Sequence, residues 1–238
     1  MLTDVNENIN MAPQAVLLDV DGTLVLSNDA HAQAWVDVFK EFGYEVPFEG
    51  VRPLIGMGSD RVIPRMVPGL TKEEGEGKAI AERRKELIIN HFGPKLTPAN
   101  GARQLILHMK DAGLRLIVAT SASSQELSVL LKAAQVDDLL DEATTSSDAE
   151  ASKPSPDIVE AALDKLKMKP DQVLMLGDTP YDIQSANAVG VDLIALRCGG
   201  FDDASLKSAV AIYNDPADLL AHYNDSPFGK RSLTQVQS

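Results

Sequence analysis

Side chains that can bind a cation or an anion lie at the ends of three apolar segments of this sequence. They are Asp19 and Asp21 after the first segment, Thr120 after the second, and Asp178 and Asp182 after the third. Carboxylates that converge within a few ångströms cannot all stay ionised without a counter-charge. Mg²⁺, which prefers oxygen ligands, supplies such a charge. If the three segments end at one place, the sequence predicts a hard-cation site there.

One lysine adds an anion-binding group to this set. Lys153 lies in a Ser-Lys-Pro segment shortly before a predicted helix that begins near Ser155 or Pro156. A bound Mg²⁺ and a lysine together make an anion pocket in an otherwise acidic protein, and phosphate is the anion that suits such a pocket best. We therefore expect phosphate chemistry at these residues.

The apolar segments predict a parallel sheet. The expected buried strands are 15–20, 114–119, 173–176 and 193–196, with a weaker one at 210–213. The segments between them have apolar residues at helical spacing. Strands and helices that alternate over short connections form a parallel sheet with helices on both faces, and functional groups gather at the carboxyl ends of its strands. The predicted fold class is therefore α/β, with a Rossmann-like parallel sheet core.

One long stretch interrupts the alternation of strands and helices. Residues 26–96 contain no convincing buried strand, and their apolar residues recur at helical spacing between proline and glycine breaks. We predict an α-helical domain at 26–96, inserted into an α/β core made of residues 1–25 and 97–238. The last part of that core, residues 225–238, has few apolar residues and is expected to be a mobile tail.

The motifs resemble those of the haloacid dehalogenase superfamily. Asp-Val-Asp-Gly-Thr begins at Asp19 after an apolar strand, a threonine follows a second strand, Lys-Pro lies downstream, and Gly-Asp-x-x-x-Asp follows a third strand. The resemblance covers nearly the whole chain, from about Ala15 to about Ala221, with four motifs in the right order. The helical insertion resembles the α-helical cap of the branch that holds phosphoglycolate phosphatase and β-phosphoglucomutase.

The resemblance implies a catalytic role for four residues. Asp19 would be the nucleophile that takes the phosphoryl group as an aspartyl-phosphate. Asp21 would protonate the leaving oxygen and then deprotonate the attacking water. Thr120 would donate a hydrogen bond to the phosphoryl oxygens, and Lys153 would neutralise the charges of nucleophile and phosphate.

The resemblance also implies a Mg²⁺ site. Its ligands would be the Asp19 carboxylate, the Asp21 backbone carbonyl and Asp178. Asp182 would support the site from behind these ligands. Both aspartates of the third motif have an alternative use, because either one could cap the helix that follows Pro180.

A calcium-binding loop is excluded at the first motif, although Asp-x-Asp-Gly also begins EF-hand loops. In that register Leu24 would stand where the turn glycine belongs, and Ala30 where the bidentate glutamate belongs. The motif also follows a predicted strand rather than a helix.

Five further residues are candidates for contacting the substrate. They are Ser121 beside the second motif, His31 past the first motif, and Gly56, Ser59 and Arg61 in the insertion. The mutase-like branch has a histidine near the position of His31, although an ordinary helix histidine is an equal alternative. The segment from Gly56 resembles the cap loop that faces the substrate. Mutases carry an arginine in that loop, where alignment places Ser59, and Arg61 is displaced.

Two enzyme functions stay open. The favoured one is a Mg²⁺-dependent phosphatase that hydrolyses a small phosphorylated metabolite, a phosphoglycolate- or sugar-phosphate-like monoester. The alternative is a sugar phosphomutase of the β-phosphoglucomutase type. Asp21 favours cleavage of a C–O–P linkage, because members that cleave carbon–halogen or carbon–phosphorus bonds generally lack this aspartate. A non-catalytic binding module is disfavoured, since every motif position is intact. Leu26 departs from the branch, which often has an acidic residue there, and this affects the substrate prediction only.

Composition limits the partners. The sequence has 22 Lys and Arg against 35 Asp and Glu, a formal charge of −13, which disfavours nucleic acid and anionic membranes as partners. Cys198 is its single cysteine, so neither an intramolecular disulfide nor a cysteine-built metal site can form. The first 13 residues lack the pattern of a signal peptide, and no apolar run is long enough for a membrane span. We expect a cytoplasmic monomer whose partner is a small phosphorylated metabolite.

Overall fold

The computed structural model describes residues 12–232, and it contains a six-stranded sheet and a separate two-stranded ribbon. The strands are β1 (Ala15–Leu18), β2 (Val25–Leu26), β3 (Thr97–Pro98), β4 (Arg115–Ala119), β5 (Ala143–Thr144), β6 (Val173–Gly177), β7 (Asp192–Leu196) and β8 (Ala211–Tyr213). The sheet order is β5-β4-β1-β6-β7-β8, and all neighbouring strands are parallel. The predicted α/β fold is confirmed.

Four helices lie between β2 and β3. They are α1 (Asn28–Glu41), α2 (Phe48–Val51), α3 (Ser59–Met66) and α4 (Gly75–Leu87), and a π-helical turn, Ile88–Phe92, follows α4. Their apolar faces form a core of their own, in which the rings of Trp35 and Phe39 stack with centroids 5.4 Å apart. The antiparallel β2–β3 ribbon joins this unit to the sheet. These helices occupy the range 26–96 predicted for the insertion, which we call the cap.

The remaining helices flank the sheet or lie at its edge. They are α5 (Ala102–Asp111), α6 (Ser124–Ala133), α7 (Asp157–Leu166), α8 (Pro180–Ala188), α9 (Asp203–Leu206), α10 (Pro216–Ala221) and α11 (Pro227–Ser232), with short 3₁₀ turns at Arg52–Leu54, Gly93–Lys95, Pro170–Gln172, Arg197–Gly199 and Tyr223–Asp225.

Helices cover both faces of the sheet, which explains the unbroken apolar run of β1. Val16 and Leu18 belong to the apolar cluster that includes α5 and α6, whereas Ala15 and Leu17 belong to the cluster that includes α7 and α8. Successive side chains of a strand point to opposite faces, so a central strand under two helix layers must be apolar at every position.

Two details differ from the sequence-based expectation. Strand β5 was not predicted, because two residues carry no periodicity. The expected mobile tail at 225–238 is wrong in its first part, where α11 forms and Phe228 is only 3% exposed, packed into the core cluster beside the ring of Tyr223. Burial of this aromatic side chain contributes to docking the segment. Residues 233–238 of that prediction lie outside the described range.

None of the helices between residues 12 and 232 has the length and apolar composition needed to cross a bilayer.

Candidate active site

Three adjacent strands bring the predicted motif residues together. Asp19 directly follows β1, Thr120 directly follows β4 and Asp178 directly follows β6. Because β4, β1 and β6 are neighbours and parallel, their carboxyl ends lie side by side. The convergence expected from sequence order alone is present in the structure.

A buried lysine bridges two of the carboxylates. Lys153 is 1% exposed, and its Nζ lies 2.6 Å from Asp19 Oδ1 and 2.7 Å from Asp182 Oδ1. Burial alone would lower the pKa of Lys153, but the charges of Asp182 and Asp19 outweigh it and raise that pKa. The lysine is therefore a fixed positive charge beside Asp19.

Among residues 12–232, the side chains that donate hydrogen bonds to Asp178 are neutral. Its Oδ1 accepts a hydrogen bond from Thr23 Oγ1 at 3.1 Å, and its Oδ2 accepts one from Asn28 Nδ2 at 2.7 Å. Burial, together with the charges of Asp19 and Asp182, raises the pKa of Asp178 well above its usual value. Burial also raises the pKa of Asp19 to about 7, since Lys153 offsets only part of that effect and Asp182 and Asp21 add to it.

The carboxylate cluster has more negative than positive charge, in agreement with the direction of these pKa shifts. Carboxylate oxygens of Asp19, Asp178 and Asp182 lie within 4.8 Å of one another, and Lys153 is the cation that pairs with them. Three buried carboxylates against one lysine fit a divalent cation with oxygen ligands. Asp19 and Asp178 are the residues that could hold it.

Asp182 has the capping use that the sequence offered as an alternative, and it also pairs with Lys153. Its Oδ2 accepts hydrogen bonds from the backbone N–H and the hydroxyl of Thr179, at 3.0 and 2.6 Å, which forms the capping box of α8. Its Oδ1 faces Lys153. Capping thus orients the carboxylate, and the ion pair uses its second oxygen.

Asp21 faces the cap rather than the carboxylate cluster. Its Oδ1 lies 2.5 Å from Ser27 Oγ and 2.6 Å from His31 Nε2. Burial alone would raise the pKa of Asp21, but the contact with His31, the Ser27 hydroxyl and the charge of Arg84 lower it below its usual value. The predicted acid–base residue is thus held by a histidine from α1.

A cavity of about 270 Å³ opens between the cap and the ends of the strands. The predicted site residues that line it are Asp19, Asp21, His31, Gly56, Ser59, Thr120 and Ser121. Arg61 is not among the described residues lining this cavity, and its Nε lies 3.5 Å from Asp60 Oδ2. The structure therefore brings together all the predicted substrate-contact candidates except Arg61.

The cap touches the rim of the sheet close to the cavity. The Gly58 N–H donates to Ser152 Oγ at 3.0 Å, and Asp60 Oδ2 accepts from the Ser152 N–H at 3.2 Å. Gly56 has a φ of +108°, and a Cβ there would lie 2.8 Å from Thr179 Cγ2. Only glycine allows the cap loop to come this close to the loop after β6.

Sequence reasoning missed three residues of the site. Asn28 binds Asp178 from the first turn of α1, and Arg84 and Glu126 pair beside His31. Glu126 had one usable signal, because Ser123 followed three residues later by a glutamate predicts a capping box at a helix start. Arg84 lies in a charged run of α4 that looks like a solvated face, so nothing in the sequence singles it out.

Known proteins match both the sequence and the fold. The model of the family described as haloacid dehalogenase-like hydrolase matches residues 16–196. The Arabidopsis thaliana protein SUPPRESSOR OF QUENCHING 1, chloroplastic, is 31% identical over 198 residues, which are 82% of this chain but only 19% of that protein. Phosphoglycolate phosphatase of Rhodospirillum rubrum is 28% identical over 215 residues, covering 87% of this chain and 89% of its own.

Solved structures agree in fold. A hydrolase from Pseudomonas syringae superposes with a TM-score of 0.82 at 24% identity, covering 90% of this chain and 98% of its own. The family model spans most of the chain and includes the motif residues from Asp19 to Asp182. This protein belongs to the haloacid dehalogenase-like hydrolase family.

Proposed function

We propose that the protein is a Mg²⁺-dependent phosphatase that hydrolyses a small phosphate monoester through a phosphoryl group carried on Asp19. The observation that carries this proposal is the placement of Asp19 at the floor of the cavity, 2.6 Å from a buried lysine and two residues before a second, independently held aspartate. The name of the Rhodospirillum rubrum relative, a phosphoglycolate phosphatase, supports this reaction class.

The first step transfers the phosphoryl group to Asp19. One carboxylate oxygen of Asp19 attacks phosphorus, the bond between phosphorus and the leaving oxygen breaks, and the leaving oxygen takes the bonding electrons. The proton for this oxygen comes from Asp21 in its protonated form. Because its lowered pKa keeps the Asp21 carboxyl ionised at neutral pH, Asp21 acts as the acid only in the fraction of the protein in which it carries a proton. In the second step Asp21 removes a proton from water, the water oxygen attacks phosphorus, and the bond to Asp19 breaks. Inorganic phosphate leaves, and Asp19 is regenerated.

The surrounding side chains have the hydrogen-bonding capacity that this reaction needs. Thr120 Oγ1 accepts from the Ala122 N–H at 3.1 Å, so the hydroxyl hydrogen of Thr120 is left to donate to a phosphoryl oxygen. Ser121 Oγ accepts from the Lys153 N–H at 3.4 Å and retains its own hydrogen in the same way. The ammonium of Lys153 offsets the repulsion between the Asp19 carboxylate and the incoming phosphate.

A bound Mg²⁺ fits the shortage of positive charge among the carboxylates. We assign its ligands to the carboxylates of Asp19 and Asp178 and the backbone carbonyl of Asp21, with Asp182 in support through its contacts with Thr179 and Lys153. When bound, the ion supplies positive charge for the transferring phosphoryl oxygens.

The cavity favours hydrolysis over phosphomutase chemistry. A mutase must hold a second phosphate while its substrate turns over, and a fixed arginine suits that task. Ser59 lines the cavity at the aligned position, and Arg61 does not line it. The cap cations that do line it are Lys72, Lys85 and Arg84, of which Arg84 is already paired with Glu126. Cytoplasmic location and a monomeric state stay predictions from composition.

A panel of phosphorylated metabolites tests this function. The panel contains phosphoglycolate, hexose phosphates and triose phosphates, each assayed for released phosphate with Mg²⁺ or with EDTA. We expect at least one monoester to be hydrolysed in Mg²⁺, no turnover in EDTA, and none by Asp19→Asn. Activity in EDTA, or activity of Asp19→Asn equal to wild type, would overturn the proposal.

A further inference from the structure

Beside the cavity, four side chains in contact with one another form a row that begins in the core, passes through the cap and ends in the core. His31 Nε2, from α1, lies 2.6 Å from Asp21 Oδ1. On its other side, His31 Nδ1 contacts Arg84 Nη2 from α4, and Arg84 Nη1 contacts Glu126 Oε1 from α6. The two ends of the row, Asp21 and Glu126, belong to the core, and the two middle residues belong to the cap.

The chemistry of arginine gives this row a direction. A guanidinium carries only N–H donors, so the atom that it contacts on His31 must be an acceptor. Nδ1 of His31 therefore has no hydrogen, and the ring hydrogen is on Nε2. That hydrogen points at Asp21 Oδ1, which makes His31 a donor to the acid–base carboxylate.

Arg84 is held in place by Glu126 and by the ring of Trp35. The Glu126 side chain is 6% exposed and that of Arg84 is 13% exposed, and the guanidinium lies over the Trp35 ring, 5.3 Å from its centroid. Burial would raise the pKa of Glu126, but the charge of Arg84 and the hydrogen bonds from Ser123 lower it below its usual value, so Glu126 is ionised at neutral pH. Among the described residues Glu126 is the carboxylate that forms an ion pair with Arg84, so its removal would leave a largely buried guanidinium without that partner.

Glu126 is itself fixed by the start of α6. Its Oε2 accepts from the N–H and the hydroxyl of Ser123, at 3.1 and 2.7 Å, in a capping box. Its Oε1 is left to face Arg84. A backbone-anchored carboxylate of the core thus sets the position of a cap arginine.

We propose that Glu126 is a positioning residue of the phosphatase: across the interface between core and cap it holds Arg84 against His31, and so fixes the ring of His31 with its Nε2 hydrogen toward Asp21. The inference rests on the proposed role of Asp21. The proposed role does not require Glu126 to contact the substrate.

The test variant is Glu126→Gln, with Glu41→Gln as its matched control. Glutamine keeps an oxygen for the Ser123 cap but presents an NH₂ group where Arg84 needs an acceptor. Glu41 pairs with Arg83, the neighbour of Arg84 on α4, at 2.7 and 3.1 Å on the exposed side of the cap. Both variants therefore remove one carboxylate from an arginine of the same helix.

We expect Glu126→Gln to lower kcat about ten- to hundredfold, because the acid–base group loses its fixed geometry. Its KM should stay within about threefold of wild type. Glu41→Gln should keep the wild-type kcat. In the background of Arg84→Gln, adding Glu126→Gln should change kcat no further, since Glu126 acts through Arg84.

The ¹⁵N NMR signals of the His31 ring give a readout that loss of structure alone would not produce. His31→Gln identifies these signals by their disappearance. In wild type, Nε2 should carry the hydrogen; in Glu126→Gln the signals should move toward a mixture of the two tautomers, and in Glu41→Gln they should not move. Should Glu126→Gln fail to fold, Arg84→Lys replaces it, because an ammonium lacks the fork that reaches both partners.

Two results would overturn the inference. One is that Glu126→Gln and Glu41→Gln have the same His31 tautomer and the same kcat. The other is an equal loss of kcat from Glu126→Gln in the wild-type and Arg84→Gln backgrounds. If wild type hydrolyses no phosphate ester, the proposed function fails, but the His31 spectra still decide whether Glu126 sets the tautomer.

Discussion

In the absence of divalent cations, the free energy of unfolding of this protein should fall as the pH rises. The reason is Asp19, whose carboxyl group is buried among other carboxylates and has its pKa raised from 3.8 to about 7. A carboxyl with a higher pKa in the folded than in the unfolded state binds its proton more tightly when folded. Its contribution stabilises the fold below pH 4 and is lost as the pH rises through 7.

The size of this loss follows from the shift. About three pKa units at 1.36 kcal/mol each give roughly 4 kcal/mol for Asp19 alone. Asp178 changes in the same direction, because burial and the neighbouring carboxylates also raise its pKa. Asp21 and Glu126 have lowered pKa values and act in the opposite direction, so their contributions to the stability of the fold are lost as the pH falls.

A comparison of two proteins isolates the Asp19 contribution. Urea unfolding in EDTA would be measured from pH 4 to pH 8 for wild type and for Asp19→Asn, which cannot ionise at this position. The free energy of unfolding of wild type minus that of the variant should fall by about 4 kcal/mol over this range. Adding Mg²⁺ at about 100 times its Kd should return roughly 2.7 kcal/mol to wild type near neutral pH. A difference that stays constant with pH would refute the charge-deficit argument.

Three further predictions concern the metal, the cap and the reaction. Asp178→Ala should sharply raise the Mg²⁺ concentration needed for half-maximal activity, while circular dichroism shows an intact fold; an unchanged Mg²⁺ requirement would contradict the ligand assignment. Excess Ca²⁺ should inhibit wild type, because its larger coordination shell disturbs Asp19. Gly56→Ala should lower the free energy of unfolding by about 1–3 kcal/mol, because alanine is strained at a φ of +108° and its Cβ would meet Thr179, and a thermal melt equal to that of wild type would count against this close approach. With β-glucose 1-phosphate and a trace of the 1,6-bisphosphate, ³¹P NMR should show no accumulation of glucose 6-phosphate, because Ser59 offers no charge to a distal phosphate; isomerisation faster than phosphate release would identify a mutase.

The sequence predicts the part of the site that strand ends define. Asp19, Thr120 and Asp178 each follow a strand, and neighbouring parallel strands end at one edge, so their convergence is a consequence of topology. The strands of the sheet are predicted by short apolar runs, and the inserted helices by apolar residues at helical spacing. Local motifs and repeating patterns thus account for the floor of the site.

Contacts between the cap and the core are beyond the reach of local pattern. Arg84 and Glu126 pair although 42 residues separate them. Arg84 lies in a charged run that would suit a solvated face, and the capping-box signal of Glu126 does not specify a partner in the cap. Their meeting depends on how the cap lies on the sheet, which no short-range spacing specifies. Docking of Phe228 is similar, because a single aromatic residue among polar neighbours gives no periodic signal.

Trapping of the phosphoryl group on Asp19 tests whether this carboxylate is the nucleophile of the reaction. Wild type would be mixed in Mg²⁺ with a substrate found in the metabolite panel, quenched in acid during the first turnover, digested and analysed by mass spectrometry. We expect a phosphoryl group on the peptide that contains Asp19, removable by hydroxylamine as expected of an acyl phosphate, and no such group in Asp19→Asn. Rapid hydrolysis by wild type with a phosphoryl group on another residue, or undiminished hydrolysis by Asp19→Asn, would contradict this expectation.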